Sequence, residues 1–467
     1  MAAIVTNKFR IHNAEQFYES FGEAAASTYY VFIGRPQQFS TTTGGGTDAS
    51  PPTPNDSVTD EYRHFRDMLA AKKVSTSDLS FVVPRRNWTS GTVYDEYRHD
   101  YSSSVTSTSG ATTLFDSTFF VMTDEYKVYK CIGNNAGAAA TVKPTSTGNT
   151  EFTLGDSYIW KYMYTMTTTQ VQNFLTTDFM PVIDTLGTVS GGSQSTVSSN
   201  AVDGEIRHIK ITTAGVGYTN GTYTSVPIRG NGSGGTCTVV VGGGAVTSVT
   251  VTAQGTGYTY ATVYVDGISG VGTASTPAVL TPILGPRNGH GYDALKELGA
   301  FYVMTNTSLA GTEGSGDFVV GQDFRRIGLV RNPYNYGTTT VSTTSTLSAL
   351  KSITFAASPT PGTFSNDEII TGGTSGAKGV VVHWDSTNRK LYYIQTEYTG
   401  VDTNKNLTAF ATSEVVTGAS SSATGTTSTV NNPEIDFYSG DVMYVEHRAP
   451  IMRASDQTEN IKLVIEF

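Results

Sequence analysis

The clearest pattern of polar and apolar positions lies at the end of the chain, in Ser439 to Phe467. Ile461, Leu463, Ile465 and Phe467 alternate with polar or smaller neighbours, the period of a half-buried strand. Before them, Val442 and Tyr444 alternate with Met443 and Val445 and lead into Glu446, His447 and Arg448. Pro450 is expected to stop ladder pairing, and Ser455-Asp456-Gln457-Thr458 supplies turn chemistry. Two strands are predicted, the second a core strand docked into a sheet made by earlier segments.

Upstream, Ala3 to Phe9 alternates weakly and reads as a strand. Asn13-Ala14-Glu15-Gln16 has the form of a helix start, with Phe17 and Phe21 on one face and Gly22 as the stop. Tyr29 to Ile33 is a continuous apolar strand closed by Gly34-Arg35-Pro36, and Ser40 to Pro54 is a loop. Thr59 to Lys72 places Tyr62, Phe65, Met68 and Leu69 at helical spacing. Phe81 to Trp88 reads as a strand and a turn. Ser117 to Met122 and Tyr126 to Ile132 form a hairpin, Tyr158 to Tyr164 an aromatic strand, and Thr169 to Phe179 a short helix. Tyr292 to Leu298 is helical, and Phe301 to Met304 and Phe324 to Val330 are strands.

Two blocks break this pattern. Residues 186–285 are almost free of charge and repeat with period 40: Gly215-Val216-Gly217-Tyr218 returns as Gly255-Thr256-Gly257-Tyr258, each after a strand. Residues 336–432 repeat with period 46: Glu368-Ile369-Ile370-Thr371-Gly372 returns as Glu414-Val415-Val416-Thr417-Gly418. Two copies of a β unit fit a small barrel or sandwich and are too few for a solenoid. The expected organisation is a mainly β protein. A β-sandwich body with short helices spans 1–185, 286–335 and 433–467, and small all-β modules are inserted at 186–285 and 336–432, in loops where insertions cost least.

Composition narrows the function. Charged residues are 15 % of the 467, against roughly 25 % in an ordinary globular protein. A net charge of −10 argues against a nucleic-acid groove. Two cysteines, Cys131 and Cys237, make neither a disulfide framework nor a zinc set. The start, MAAIVTNKFRIHN, shows no secretory signal, and no apolar run is long enough to span a membrane. A β-rich composition in a protein made in a reducing cytoplasm suits a virion component.

Candidate chemistry is sparse. DEYRH occurs at Asp60 to His64 and at Asp95 to His99, but lacks the second histidine and third ligand of a zinc site and reads as solvated surface. His290 and Asp293 read as a structural turn at a helix start. The Gly-x-Gly turns lack the third glycine, helix and acid of a dinucleotide site. Glu368 and Glu414 occupy matching repeat positions, so a shared structural role is more economical than a glycosidase pair. Arg85, Arg86 and Trp88 on one turn suit interface anchors or a structural cap. No catalytic, metal or cofactor residues are assigned.

Three stretches together resemble a known family: AIVTNKFR at Ala3 to Arg10 with Phe17-Tyr18 and Gly22, Pro51 to Trp88 ending VPRRNW, and APIMRASDQTENIKLVIEF at the C-terminus. GDSYIW at Gly155 to Trp160 and Phe324-Arg325-Arg326-Ile327 with Asn332-Pro333 follow the same order. They are similar to gene product eight of T-even-type contractile-tailed bacteriophages, a baseplate wedge subunit. The resemblance covers roughly half of the chain and leaves out both repeat blocks. It implies a homodimeric, cofactor-free structural protein of the virion tail baseplate, assembled in the host cytoplasm; with the charge and hydropathy above, neither a nucleic-acid partner nor membrane insertion is expected. It implies as partners the other wedge proteins, of gene product ten, seven and six type, and a role as a connector in assembly and in the rearrangement that triggers sheath contraction. Interfaces favour arginine and aromatic residues, so Arg85, Arg86, Trp88, Arg325, Arg326, His447 and Arg448 are the interface candidates. A second reading is a host-recognition module in which the repeat blocks bind surface glycans through tyrosines such as Tyr218 and Tyr258. A third, a polysaccharide-degrading enzyme, has no carboxylate pair placed by any motif.

Overall fold

Strands dominate the computed structural model and its few helices are short, the longest running Asn7–Glu19. It describes residues 3–23, 27–184, 193–310, 318, 320–454 and 456–467. The expected boundary at 185/186 and Ser455 of the expected turn lie outside the described residues. The chain forms two compact units, one of residues 1–15, 80–304 and 464–467, the other of 16–79 and 305–463.

In the second unit an antiparallel five-stranded sheet has the order Thr346–Ser348, Met68–Val74, Tyr29–Gly34, Asp323–Arg331, Asp441–Met452. Tyr30, Phe32, Phe65, Met68, Val330 and Leu347 bury themselves in one cluster against it. The helix expected over Thr59 to Lys72 covers only Val58–Arg66, and Met68–Val74 is a strand. Met68, Leu69, Ala70 and Ala71 are all buried on consecutive positions, which a central strand permits and a surface helix does not. Pro450 does not end its strand either. The pairing continues to Met452, and the ladder shifts register so that Arg448 to Pro450 bulge opposite Arg325.

The same unit holds a closed six-stranded barrel, from Lys351–Phe355 round to Thr424–Asn431. The period-46 repeats interlock here. Glu414 of the second copy accepts hydrogen bonds from Thr374 N, Ser375 N and Ser375 Oγ of the first, and from Ala411 N of its own. Glu368 accepts in turn from Ser420 and Ser421 of the second copy and from Ser365 N of its own. Glycine is required beside each carboxylate. A Cβ on Gly372 would meet Glu414 Oε1 at 2.7 Å, and one on Gly418 would meet Glu368 Oε1 at 2.6 Å. The shared role of the two glutamates is therefore to tie one repeat to the other.

In the first unit a four-stranded sheet orders Phe120–Met122, Lys127–Asn134, Tyr158–Thr165 and Phe152–Thr153. Tyr94, Tyr129, Tyr158, Trp160 and Tyr162 make the aromatic core on it. Residues 206–284 carry a core of their own, built from Val239, Val241, Ile209 and their neighbours. Ala3 to Phe9 is not a strand. Thr6 accepts from Phe9 N and Arg10 N through its carbonyl and opens the helix at Asn7. The C-terminal strand Thr458–Glu466 forms as expected, with Ile461 and Leu463 buried.

Burial opposes ionisation of Glu414, but the N–H and O–H groups around it outweigh that and hold its carboxyl below the usual range. Replacing Glu414→Gln sets an amide NH2 against main-chain donors, at a cost of about 2–3 kcal/mol by the usual penalty for buried unsatisfied groups. A folded-state pKa below the unfolded one adds stability above the ordinary glutamate value of about 4.3, lost as pH falls through the folded value. Urea unfolding at pH 7 and at pH 3 should show the variant's deficit large at the first and much reduced at the second.

Candidate functional site

Sheet register gathers a cluster of charged residues of the second unit at one end of its five-stranded sheet. Gly34 pairs with Met68 on one side and with Arg326 on the other, and Arg326 pairs with His447. Arg35 and Asp67, the residues next to Gly34 and Met68, arrive at the same place, and Arg35 N donates to Asp67 O at 2.8 Å. The helix Val58–Arg66, capped by Ser57 accepting from Asp60 N, brings Arg63 and His64 to it. Arg35, Arg63, His64, Asp67, Arg326 and His447 line a cavity of about 210 Å³ together with Phe39, Asp60, Glu397 and Tyr398.

Asp67 is buried and is the anion at the centre. Arg326 Nη1 donates to its Oδ1, and Arg35 Nη1 lies 3.8 Å from its Oδ2. Burial pushes the Asp67 carboxyl up against the pull of the two guanidinium groups. Arg326 also donates from Nε to His447 Nε2 at 3.1 Å, and His447 Nδ1 lies 2.8 Å from Pro52 O. One ring nitrogen must accept and the other donate, so the imidazole is the neutral Nδ1–H tautomer. Burial and the charge of Arg326 accordingly lower its pKa to about 4. His64, buried beside Arg326 and His447, falls to about 3 for the same reasons. At the rim, Glu397 accepts from Arg63 Nε at 2.5 Å and from Arg66 Nη1 at 3.3 Å. Arg325 is 2 % exposed and grips both oxygens of Asp48 at 2.9 Å, which fastens the 36–52 loop to its strand. What this arrangement can do chemically is hold loop, helix and sheet edge in one geometry.

A second buried network lies in the first unit. Lys130 and Lys161 face each other across paired strands, both fully buried, a destabilising pair unless neutralised. Lys130 donates to Glu297, and Lys161 lies 3.2 Å from Glu151, which also holds Arg207 at 3.0 Å. Glu96 ties its own segment to the strand Ile206–Thr213 through Lys210 at 2.6 Å and His208 at 3.4 Å. Among the described residues no cluster of His, Cys, Asp and Glu could hold a metal ion.

The seven interface candidates separate. Arg85, Arg86 and Trp88 belong to the first unit, where Trp88 N donates to Met122 O and Arg86 Nη2 to Phe115 O. Arg86 lies 4.3 Å over the Phe120 ring, and burial lowers its pKa to about 10. Arg325, Arg326 and His447 fall in the cavity region, engaged within the unit. Arg448 keeps a side chain 48 % exposed, ion-paired to Glu446 at 2.8 Å. The DEYRH copies differ: the first stays largely at the surface, with Tyr62 exposed and only His64 buried, whereas in the second Asp95, Glu96, Tyr97 and Arg98 are buried, each ionic group meeting an opposite charge or several donors, and His99 is exposed. Tyr218 and Tyr258 are buried too, their hydroxyls bonded to Asp266 Oδ1 and to Ile228 O, so neither is an exposed glycan platform. Arg35, Asp67 and Glu397 carry no sequence signal. Only the strand stop at Gly34-Arg35-Pro36 marked the place.

A family described as bacteriophage T4 Gp8 matches residues 3–139. The baseplate wedge protein gp8 of Enterobacteria phage T4 is 28% identical over 187 residues, an alignment covering 35% of this chain and 55% of that protein. The match thus spans about half the length of that relative. The resemblance to gene product eight is shown, and its first two motif stretches lie inside the matched residues.

Two outcomes follow from the charged cavity. Arg326→Met leaves Asp67 buried without its main partner and should destabilise the protein by about 3–5 kcal/mol in denaturant unfolding. A histidine whose folded pKa is lowered stays neutral in the folded state while the unfolded chain takes up the proton. Stability should therefore decline as pH drops from about 6.5, the ordinary histidine value, towards about 4. His64→Phe should move the acid-unfolding midpoint to lower pH by circular dichroism, and an unchanged midpoint would show that His64 does not contribute.

Proposed function

We propose that this chain is a structural wedge subunit of a contractile phage-tail baseplate, without catalytic activity of its own. The observation that carries this reading is the likeness to the wedge protein gp8. The buried ion pairs agree with it. A connector must transmit load without changing shape, and clamps such as Arg325–Asp48 and Arg326–Asp67 fix loops that would otherwise be the most mobile parts.

On this reading the subunit is a homodimer within each wedge and binds the other wedge proteins, those of gene product ten, seven and six type. It holds the wedge together in assembly and during the rearrangement that releases the sheath. Of the seven candidate contact residues, Arg448 is the one we assign to a contact with a partner. It lies on the same outer strand as Met443 and Met452, which are 49 % and 63 % exposed. Arginine and methionine are enriched at such contacts.

Light scattering on the full chain should give a dimer, and mixing with the neighbouring wedge proteins should give a larger complex. A monomer that ignores them at micromolar concentration would overturn the proposal. Arg448→Glu should weaken the heteromeric complex by about tenfold, a loss of about 1.4 kcal/mol, with the melting temperature unchanged.

A further inference from the structure

The charged cavity of the second unit leaves donors unspent. Its carboxylates are all engaged: Asp60 accepts from Ser57 and Arg63, Glu397 from Arg63 and Arg66, and Asp67 from Arg326. Arg63 and Arg326 thus each meet a carboxylate at hydrogen-bonding distance. Arg35 does not. Its Nη1 stays 3.8 Å from Asp67, and its Nη2 donates to the carbonyls of Gln38 and Thr43. Its Nε has no partner, in a side chain only 5 % exposed. Phe39 lies against the guanidinium, its ring centroid 4.8 Å from Cζ. In His64, buried as well, Nδ1 has no partner either. An unanswered buried donor costs free energy, and a bound ion or water is one way in which proteins recover it.

Both residues line the cavity of about 210 Å³. At ~30 Å³ per water there is room for about seven waters, or for a small carboxylate with a few waters. Thr53 and Asn55 line it too and are exposed, so it opens to solvent on their side. The walls discriminate among anions. Asp60, Asp67 and Glu397 all border the space, and a dianion such as hydrogen phosphate would be set against three carboxylates. A singly charged, planar carboxylate matches the edge of a guanidinium and draws a charge-assisted bond from it. Neutral His64 supplies a second donor when its proton sits on Nδ1.

We propose that this cavity binds one carboxylate group, held by Arg35 and His64 and entering past Thr53 and Asn55. Two sources share this chemistry, a small carboxylic acid and an aspartate or glutamate side chain of another protein. The assignment uses only residues of the second unit and stands apart from the baseplate reading.

Titration calorimetry on the full chain, at neutral pH and constant ionic strength, tests this with sodium acetate and with N-acetyl-glutamate amide. Acetate should bind once per chain with a dissociation constant of about millimolar. A tenfold excess over that constant should raise the melting temperature by a few degrees. Binding of both probes shows that a protein side chain can enter, and binding of acetate alone leaves free carboxylic acids as the ligand. Arg35→Lys keeps the charge, removes the Nε donor and should weaken acetate by about tenfold. Thr53→Glu sets a fixed carboxylate at the exposed mouth. It should keep the circular dichroism and melting of the parent and weaken acetate by a similar factor, which decides the matter if Arg35→Lys does not fold. No binding of either probe at tens of millimolar would overturn the proposal. So would parent affinity in folded Thr53→Glu, or inorganic phosphate binding more tightly than acetate.

Discussion

The second unit is arranged around one buried carboxyl, Asp67, held between two guanidinium groups. An isolated carboxylate there would cost several kcal/mol, so its neighbours are constrained. Arg35 must come from the end of the adjacent strand Tyr29–Gly34, and Arg326 from the strand beyond it, Asp323–Arg331. Each guanidinium then fixes something further. Arg326 sets the tautomer of His447, which holds Pro52, and Arg35 reaches the carbonyls of Gln38 and Thr43. The loop from Pro36 to Pro54 has few apolar side chains to bury, and these bonds take the place of a core beneath it.

The same logic recurs wherever the fold brings distant segments together. In the barrel, two copies of one β unit exchange glutamates, each satisfying turn amides of the other. Carboxylates are well suited to this, since one oxygen can accept from two or three donors and charge strengthens each bond. In the first unit, Glu96 carries out the corresponding task between its own segment and the strand Ile206–Thr213. A chain with so few charged residues uses many of them inside. A count of charges alone therefore gave no hint of buried networks.

Much of the architecture could be read before any coordinates. Apolar runs such as Tyr29 to Ile33 and the aromatic strand Tyr158 to Tyr164 are strands, and the period-46 repeat is a closed barrel. The equivalence of Glu368 and Glu414 followed from their repeat positions. The errors arose where one pattern served two structures. Phe65, Met68 and Leu69 fit a helix, yet the last two belong to a buried strand whose neighbours on both sides cover them. Pro450 suggested a strand end, and a bulge absorbs it instead.

What the sequence determined by itself was the local alphabet: strands, turns, repeats, and the likeness to a phage baseplate protein carried by motifs in order. Those depend on spacing along the chain, which a sequence displays directly. Only the tertiary structure decided which charges meet. Asp67 and Arg326 are hundreds of residues apart, and nothing in their neighbourhoods distinguishes them from surface residues. Their pairing follows from strand register, and register is set by the whole apolar face of a sheet.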